Sequence, residues 1–395
     1  MDRGDRVEAV LGELDEHGKA TADVRGVPLL VAGGIPGERV EVEIVRRFPE
    51  SLAARVTSVL AASPARVAPP CPYYLTCTGC QFQHIAYERQ LEIKRNTIAK
   101  ALERYPVLGG ASLLPGIASP RRLGYRNHAR FTIGKREEEG AVGFVNADTR
   151  RFVRIERCLL MDDAINGALS RLQGRAQGMT QASVRAGSRT GSVMVQPKLP
   201  AADIGLDSGQ FHFVESVMGR RFQIAASSFF QVNTEQAEAV VDLLRVGLRL
   251  SGRELLVDAY CGVGLFAILL APHARRVIGI EEAGSAIADA RENAVDLPNL
   301  EFVEARTEAA LDSIGETFDA LILDPPRAGC SSQVIETVNA RRPARVAMVS
   351  CEPATMARDL AALCSGPYIV ETVQPVDMFP QTRHVEAIAV LRCEI

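Results

Sequence analysis

From about Phe229 onward the chain alternates short apolar runs with amphipathic stretches, and this alternation restricts the fold more than any other feature. A helix is expected over Thr234–Leu250. Leu255–Tyr260 then reads as a strand followed by a helix to His273, and Arg276–Glu281 as a strand followed by a helix to Val295. Leu300–Ala305 and Phe318–Asp324 each precede a short helix, and Arg345–Cys351 precedes the helix Ala354–Leu363. Short runs rich in Val, Ile and Leu, separated by helical patterns, are the mark of buried parallel strands with crossover helices. Ile369–Val376 and Val385–Leu391 have no helix of convincing length between them, so the sheet should close with a hairpin. The expected fold class is α/β, a Rossmann-like doubly wound sheet, whose chemistry sits just beyond the carboxyl ends of its strands.

The residues upstream have another character. Val7–Leu14, Ala20–Val24, Val27–Val31, Arg39–Val45 and Ala53–Leu60 carry strand patterning, punctuated by Gly18, Gly26, Gly33-Gly34 and Pro36-Gly37. Five short strands in this space suggest an OB-like β-barrel, a fold that often binds nucleic acid. The proline-rich connector Ser63–Pro70 leads into Cys71. Tyr87–Tyr105 has a helical pattern with Leu91, Ile93, Ile98 and Leu102 as inward positions. Residues 120–225 read mostly as β, with strands at Ala129–Ile133 and Ala141–Val145 and a helix near Asp163–Gln173. Three domains are expected: 1–65, 66–225 and 226–395. No internal repeat interrupts this plan.

Composition limits the setting. The amino terminus is charged and lacks a signal core, and no apolar run approaches the roughly 18 residues of a membrane span. A cytoplasmic protein with no membrane association is expected. Nine cysteines, an odd count, argue for metal binding or catalysis rather than a disulfide scaffold. The net charge of −3 hides a basic stretch: residues 120–157 hold ten Lys or Arg against five Asp or Glu, interleaved with Tyr125, Phe131, Phe144 and Phe152. Basic and aromatic side chains together suit a phosphate backbone with unstacked bases; a solvated strand face would read the same way.

Four motifs carry chemistry. Asp258-Ala-Tyr-Cys-Gly-Val-Gly264 follows a strand and opens a helix, and the next strand ends in Glu281-Glu282, a carboxylate suited to ribose hydroxyls. Together they imply a nucleoside-bearing cofactor. Asp324-Pro-Pro-Arg-Ala-Gly329 follows another strand; its stiffened loop presents a carboxylate to a flat polar substrate. Cys351, followed by Glu352-Pro353, is a thiol at a strand end, a position for a nucleophile, although a lone cysteine there is more often a small buried hydrophobe. Cys330 and Cys261 are weaker candidates. Cys71, Cys77 and Cys80 form a metal loop, and because no second close pair of ligands follows, a remote Cys158 suits an iron–sulfur cluster better than zinc, with His84 as an alternative ligand. Asp377–Glu386, between the last two strands, brings a carboxylate, an imidazole and an aromatic to one turn.

In combination these stretches resemble the RNA uracil-5-methyltransferases. The resemblance is carried by Phe229-Phe-Gln-Val-Asn233, Asp258–Gly264, Asp324–Gly329, Ser350–Leu360, Asp377–Glu386 and the cysteine loop through Gly79-Cys-Gln-Phe-Gln-His84. Gly34-Ile-Pro-Gly-Glu-Arg39 resembles the TRAM RNA-binding barrel. The resemblance implies Cys351 as nucleophile and Glu386 as general base. It implies an S-adenosylmethionine site with Gln231, Tyr260, Gly262, Gly264, Glu281 and Asp324, and a 4Fe–4S cluster on Cys71, Cys77, Cys80 and Cys158. Arg126 and Arg130 would face the RNA, with Phe229 or Phe230 as a contact for the unstacked base. Position 352 is Glu where the family often has Asn. The cysteine loop and the TRAM-like barrel together favour 23S ribosomal RNA as the substrate, with the transfer RNA T-loop as alternative, and the expected state is a monomer. A non-catalytic RNA-binding iron–sulfur protein would not need both Cys351 and Glu386. A cytosine-5-methyltransferase would carry a Pro-Cys loop in place of Asp-Pro-Pro-Arg.

Overall fold

The computed structural model describes residues 1–199 and 205–394. Strands β1 (Arg6–Val10), β2 (Ala20–Val24), β3 (Val27–Ala32), β4 (Arg39–Arg47) and β5 (Leu52–Ala61) form one sheet in the order β1-β4-β5-β3-β2. All its pairings are antiparallel except β3 with β5. Alternating side chains of these strands, among them Leu29, Val31, Val40, Val42 and Ile44, share one small core. Helix α1 (Tyr87–Leu102) follows, then the two-residue strand β6 (Ser112–Leu113). Strands β7 (His128–Ile133), β8 (Val142–Val145) and β9 (Phe152–Arg154), helix α2 (Asp163–Leu172), and strands β10 (Gln181–Ala186) and β11 (Val193–Gln196) make a second sheet with its own core around Phe131, Ile165, Leu169 and Val184. Strands β12 (His212–Val217) and β13 (Arg220–Ala225) form a hairpin.

The remainder alternates: α3 (Thr234–Gly247), β14 (Leu255–Ala259), α4 (Leu265–Leu270), β15 (Arg276–Glu281), α5 (Gly284–Asn293), β16 (Leu300–Glu304), α6 (Thr307–Ser313), β17 (Ala320–Leu323), α7 (Ser332–Arg341), β18 (Arg345–Ser350), α8 (Pro353–Cys364), β19 (Tyr368–Val376) and β20 (Glu386–Cys393). They build an eight-stranded sheet in the order β16-β15-β14-β17-β18-β20-β19-β6. Period-two alternation feeds two cores: Leu255, Val257 and Ala259 face one side of the sheet while Leu256 faces the other. The α/β reading of the sequence is borne out, closing hairpin included. The strand order reverses between β14 and β17, and beyond their carboxyl ends lies the crevice such sheets use for ligands.

Two features differ from expectation. β6 adds a parallel strand to the edge of the large sheet beside β19; two residues give no periodicity to read. The inward face of α1 holds Ile98 and Leu102 as expected, but Leu91 and Ile93 are only half-buried, and the polar Gln90 and Lys94 are buried in their stead. Among the described residues no helix is long and apolar enough to cross a membrane.

Candidate active site

Cys351 is the first residue after β18, immediately before Glu352, the N-cap of α8, where Pro353 occupies the first turn without wasting an N–H. β20 runs antiparallel to β18 with Ser350 opposite Ala387, so the register carries Cys351 to the level of Glu386. The first residue of β20 therefore meets the residue just past the end of β18, across a sequence gap that no local pattern spans.

The Asp324 loop completes this end of the sheet. It is clamped to α8: Thr355 Oγ1 donates to Arg327 O (3.1 Å), Arg358 Nη2 donates to Ala328 O (2.8 Å), and the Cys330 N–H donates to Asp359 Oδ2 (2.7 Å). Gly329 has φ +81°, and a Cβ there would come within 2.3 Å of Asp359 Oδ2, so the close approach requires glycine.

Charges in this cleft are set by burial. The Asp324 carboxyl is raised to about 7 by desolvation. Glu386 is pushed well above the carboxylate range, first by burial and then by Asp324, while Arg327 opposes the shift. Burial raises the Cys351 thiol, Glu386 and Asp324 raise it further, and the Arg327 guanidinium, by charge and hydrogen bond, draws it back down. Glu386 thus holds a proton more tightly than an ordinary carboxyl, and Arg327 favours the thiolate of Cys351. Arg327 was missed from sequence, because a loop arginine announces no partner.

The neighbouring crevice is lined by Phe229, Phe230, Gln231, Tyr260, Cys261, Gly262 and Asp324, around a cavity of about 40 Å³. Phe229 is 69% exposed, whereas Phe230 is packed in the core. Tyr260 turns the chain at φ +67°, in the left-handed region that L-residues seldom adopt. Space is open where a Cβ on Gly262 would lie, as a closely approaching ligand needs. Gly264 caps α4 and packs against Phe302 instead of lining the crevice. Glu281 accepts from the Gly262 N–H (3.1 Å) and the Ala283 N–H (2.8 Å), so in this structure it braces the glycine loop, a role beyond the ribose contact expected of it. Asp258 is fully buried; Oδ2 accepts from the Ala267 N–H (2.9 Å), while Oδ1 is without a partner.

Cys330 is 6% exposed in the core; burial raises its thiol to about 12, and its ties to Tyr260 and Asp359 hold it in the wall of the site. Cys261 is buried, in agreement with a packing role.

Cys71, Cys77, Cys80 and Cys158 line a second cavity of about 220 Å³, together with Arg126 and Arg130. Burial raises Cys77 to about 11 and pushes Cys80 and Cys158 up as well, and the sulfurs add to one another's shifts. Among the described residues no three His, Cys, Asp or Glu side chains converge tightly enough to hold a single metal ion. His84 does not serve as the alternative ligand: its Nδ1 meets the Tyr74 hydroxyl and its Nε2 the carbonyl of Gly34, which leaves neither nitrogen free. Arg126 donates to His128 O, and the exposed Arg130 bonds the Gln181 amide, so both lie at the cysteine cavity and not at the wall of the glycine-loop crevice.

These features can be set beside known proteins. The tRNA (uracil-5-)-methyltransferase family matches residues 202–393. An RNA methyltransferase of Thermosynechococcus vestitus is 33% identical over 443 residues, spanning 98% of both chains. One from Halalkalibacterium halodurans is 30% identical over 447 residues, spanning 99% of this chain and 98% of its own. The chain belongs to the RNA uracil-5-methyltransferase family. The tRNA (uracil-54, C5)-methyltransferase of Pyrococcus abyssi, solved with S-adenosyl-L-homocysteine, superposes with a TM-score of 0.77 at 27% identity, covering 98% of this chain and all of that one. As an RNA uracil-5-methyltransferase the protein is an enzyme that uses S-adenosylmethionine and a cysteine to methylate carbon 5 of uracil in RNA. The resemblance read from sequence is borne out at the level of family and reaction.

Proposed function

We propose that the substrate is a uridine of transfer RNA, in the T-loop, with Cys351 as nucleophile and Glu386 as base. The ribosomal substrate expected from sequence rested on the cysteine loop and the amino-terminal strands. The Pyrococcus abyssi enzyme, described as acting on tRNA, aligns across 98% of this chain, so those regions do not speak for ribosomal RNA. The single observation that carries the residue roles is the meeting of Cys351 and Glu386 across β18 and β20 beside Asp324.

S-adenosylmethionine supplies an electrophilic methyl group on its sulfonium. Gln231, Tyr260, Gly262 and Asp324 line its crevice, and Glu281 and Gly264 shape the loop around it. Arg327 and the amino end of α8 favour the Cys351 thiolate. The thiolate adds to carbon 6 of a uracil turned out of its stack, and the ring electrons pass to carbon 5 as an enolate. Carbon 5 takes the methyl as the methyl–sulfonium bond breaks, which leaves a neutral thioether. Glu386, ionised for this step, removes the carbon 5 proton; the bond to sulfur then breaks and the thiolate is regenerated. The raised affinity of Glu386 for a proton suits it to that abstraction. Asp324 would orient the uracil edge, and exposed Phe229 would stack on RNA.

The cysteine cavity suits a 4Fe–4S cluster on Cys71, Cys77, Cys80 and Cys158, because thiols standing around a cavity match a multi-atom cluster better than one zinc. It would tie the loop before α1 to the segment before α2. The five-stranded sheet with its parallel β3–β5 pair is read as an OB-like TRAM barrel for RNA. We take the enzyme to be a cytoplasmic monomer.

The test is in vitro methylation of tRNA and 23S ribosomal RNA, with digestion and mass mapping, by wild type and Cys351→Ala. Methyl groups should enter tRNA alone and only with wild type, while both proteins bind S-adenosylmethionine. Methylation confined to ribosomal RNA would overturn the substrate, and normal turnover by Cys351→Ala would overturn the nucleophile. Anaerobically purified protein should be brown and contain iron; a colourless protein with one zinc would refute the cluster.

A further inference from the structure

The turn between β19 and β20 leads into Glu386, and among the described residues no hydrogen bond reaches the Glu386 carboxyl; burial, Asp324 and Arg327 are what act on it. Its place therefore depends on its backbone. Val376, the last residue of β19, pairs directly with Glu386, and Asp377 follows at once. Whatever fixes Asp377 fixes the neck of the turn from which Glu386 projects.

Asp377 is held from far away in sequence. Lys94 Nζ donates to Asp377 Oδ1 at 2.5 Å, and the two side chains are 2% and 1% exposed. The Tyr87 hydroxyl donates to Asp377 Oδ2 (2.7 Å) and accepts from the Ser119 N–H (2.8 Å). Lys94 Nζ also donates to Phe379 O (2.9 Å), Gln236 Nε2 to Asp377 O (3.0 Å), and the Asp377 N–H to Ile117 O (3.0 Å). Further along the turn, Gln90 exchanges two hydrogen bonds with Gln381, each of 3.1 Å. Tyr87, Gln90 and Lys94 are three and seven positions apart, so they share one face of α1. That face is polar and buried, which is costly unless every group on it is satisfied.

We infer that Lys94 and Tyr87 are positioning residues for the catalytic base: they hold Asp377, and through it the β19–β20 neck, so that Glu386 meets carbon 5 of the uracil. The inference rests on the assignment of Glu386 as base. An α1 that served only to fill the core would have no use for a buried ion pair at this spot, because apolar side chains pack as well at lower cost.

The consequence is specific to one step. Thiolate addition uses Cys351, just past β18, and methyl transfer uses the crevice, so both should survive a displaced Glu386. Proton abstraction should not, and the covalent RNA–enzyme adduct should persist. The experiment compares wild type, Lys94→Met, Tyr87→Phe and Glu386→Gln, each with S-adenosylmethionine and tRNA transcript. Adducts are followed on denaturing gels beside multiple-turnover methylation. Lys94→Met is expected to lower turnover roughly 10–100-fold, part of the 10²–10⁴ a general base contributes, while adduct accumulates and forms at close to the wild-type rate. Tyr87→Phe, which deletes one hydroxyl and keeps the ring, should show the same pattern more weakly, and it decides the matter if Lys94→Met does not fold. Wild-type turnover in both, or adduct formation falling in parallel with turnover, would overturn the inference. Glu386→Gln separates the two claims: if it traps adduct and the α1 variants do not, the positioning role fails alone; if it traps none, the base assignment fails first.

Discussion

Arg327 acts on both Cys351 and Glu386, the proposed nucleophile and base, and its effect is measurable through pH. Burial, Glu386 and Asp324 raise the Cys351 thiol, and Arg327 lowers it. Adduct formation should therefore rise with pH to an inflection above that of an ordinary thiol. In Arg327→Gln the inflection should move further alkaline, because the one opposing charge is gone; single-turnover adduct formation from pH 6 to 10 checks this, and an unmoved inflection would remove Arg327 from thiol activation. Asp324 makes a second prediction at this scale. Its folded-state value, about 7, lies above the 3.8 of a free carboxyl. The stability it contributes is full below the unfolded value and is lost as pH rises through about 7. Asp324→Asn removes that loss, so the ligand-free variant should melt higher than wild type at pH 8 and about level with it near pH 4, while methyl transfer collapses. Thermal melts at the two pH values read the sign directly. A site that is destabilised when empty is a common cost of function.

Elements matter here because no reactive residue is held by its own helix or strand alone. The Asp324 loop depends on α8, whose Thr355, Arg358 and Asp359 bind successive groups of that loop. Gly329→Ala should break this clamp, since the new Cβ would lie 2.3 Å from Asp359 Oδ2 at φ +81°. A cost of about 1–3 kcal/mol is expected from the backbone strain alone, read by urea denaturation, with a loss of activity larger than the stability change accounts for. Helix α1 shows where sequence reading stops. Its extent was legible from periodicity, and Ile98 and Leu102 point inward as read. Lys94 was not legible as a buried residue, because a lysine on an amphipathic helix is ordinarily solvated and its partner lies 283 residues away. The polar set Tyr87, Gln90 and Lys94 at helical spacing was the one available sign.

At the scale of the molecule, the amino-terminal sheet is joined to the rest by a few buried polar ties. Glu38 is fully buried and accepts from Arg66 Nε and Nη2 and from the N–H groups of Ile35 and Ser63. Burial alone would raise its carboxyl, but Arg66 and those N–H groups hold it below the usual value. Glu38→Ala would leave Arg66 with only its hydrogen bond to Gly33 O and would strand two N–H donors. A loss of about 3–5 kcal/mol is expected, seen as an earlier transition for residues 1–62 in hydrogen exchange; a wild-type profile would show that the tie is dispensable. Lys19 with Asp148, and Arg383 with the carbonyl of Glu16, join the same sheet to the second sheet and to the turn that leads into Glu386.

The sequence by itself determined the α/β alternation, the glycine loop, the Asp-Pro-Pro-Arg loop and the thiol at a strand end, because each is local: a period, a turn residue or a short motif fixes it within a few positions. The family of the enzyme, and Cys351 as the proposed nucleophile, were legible on that basis. Tertiary structure alone decided which of these local features meet. The antiparallel register of β18 and β20 brings Glu386 to Cys351, clamping by α8 aims the Asp324 loop, and the buried polar face of α1 grips the last turn. It also decided what does not meet: His84 is spent on Tyr74 and Gly34, and Arg126 and Arg130 stand at the cysteine cavity. Long-range pairings such as these are set by the packing of whole elements and the satisfaction of buried polar groups, neither of which leaves a pattern along the chain.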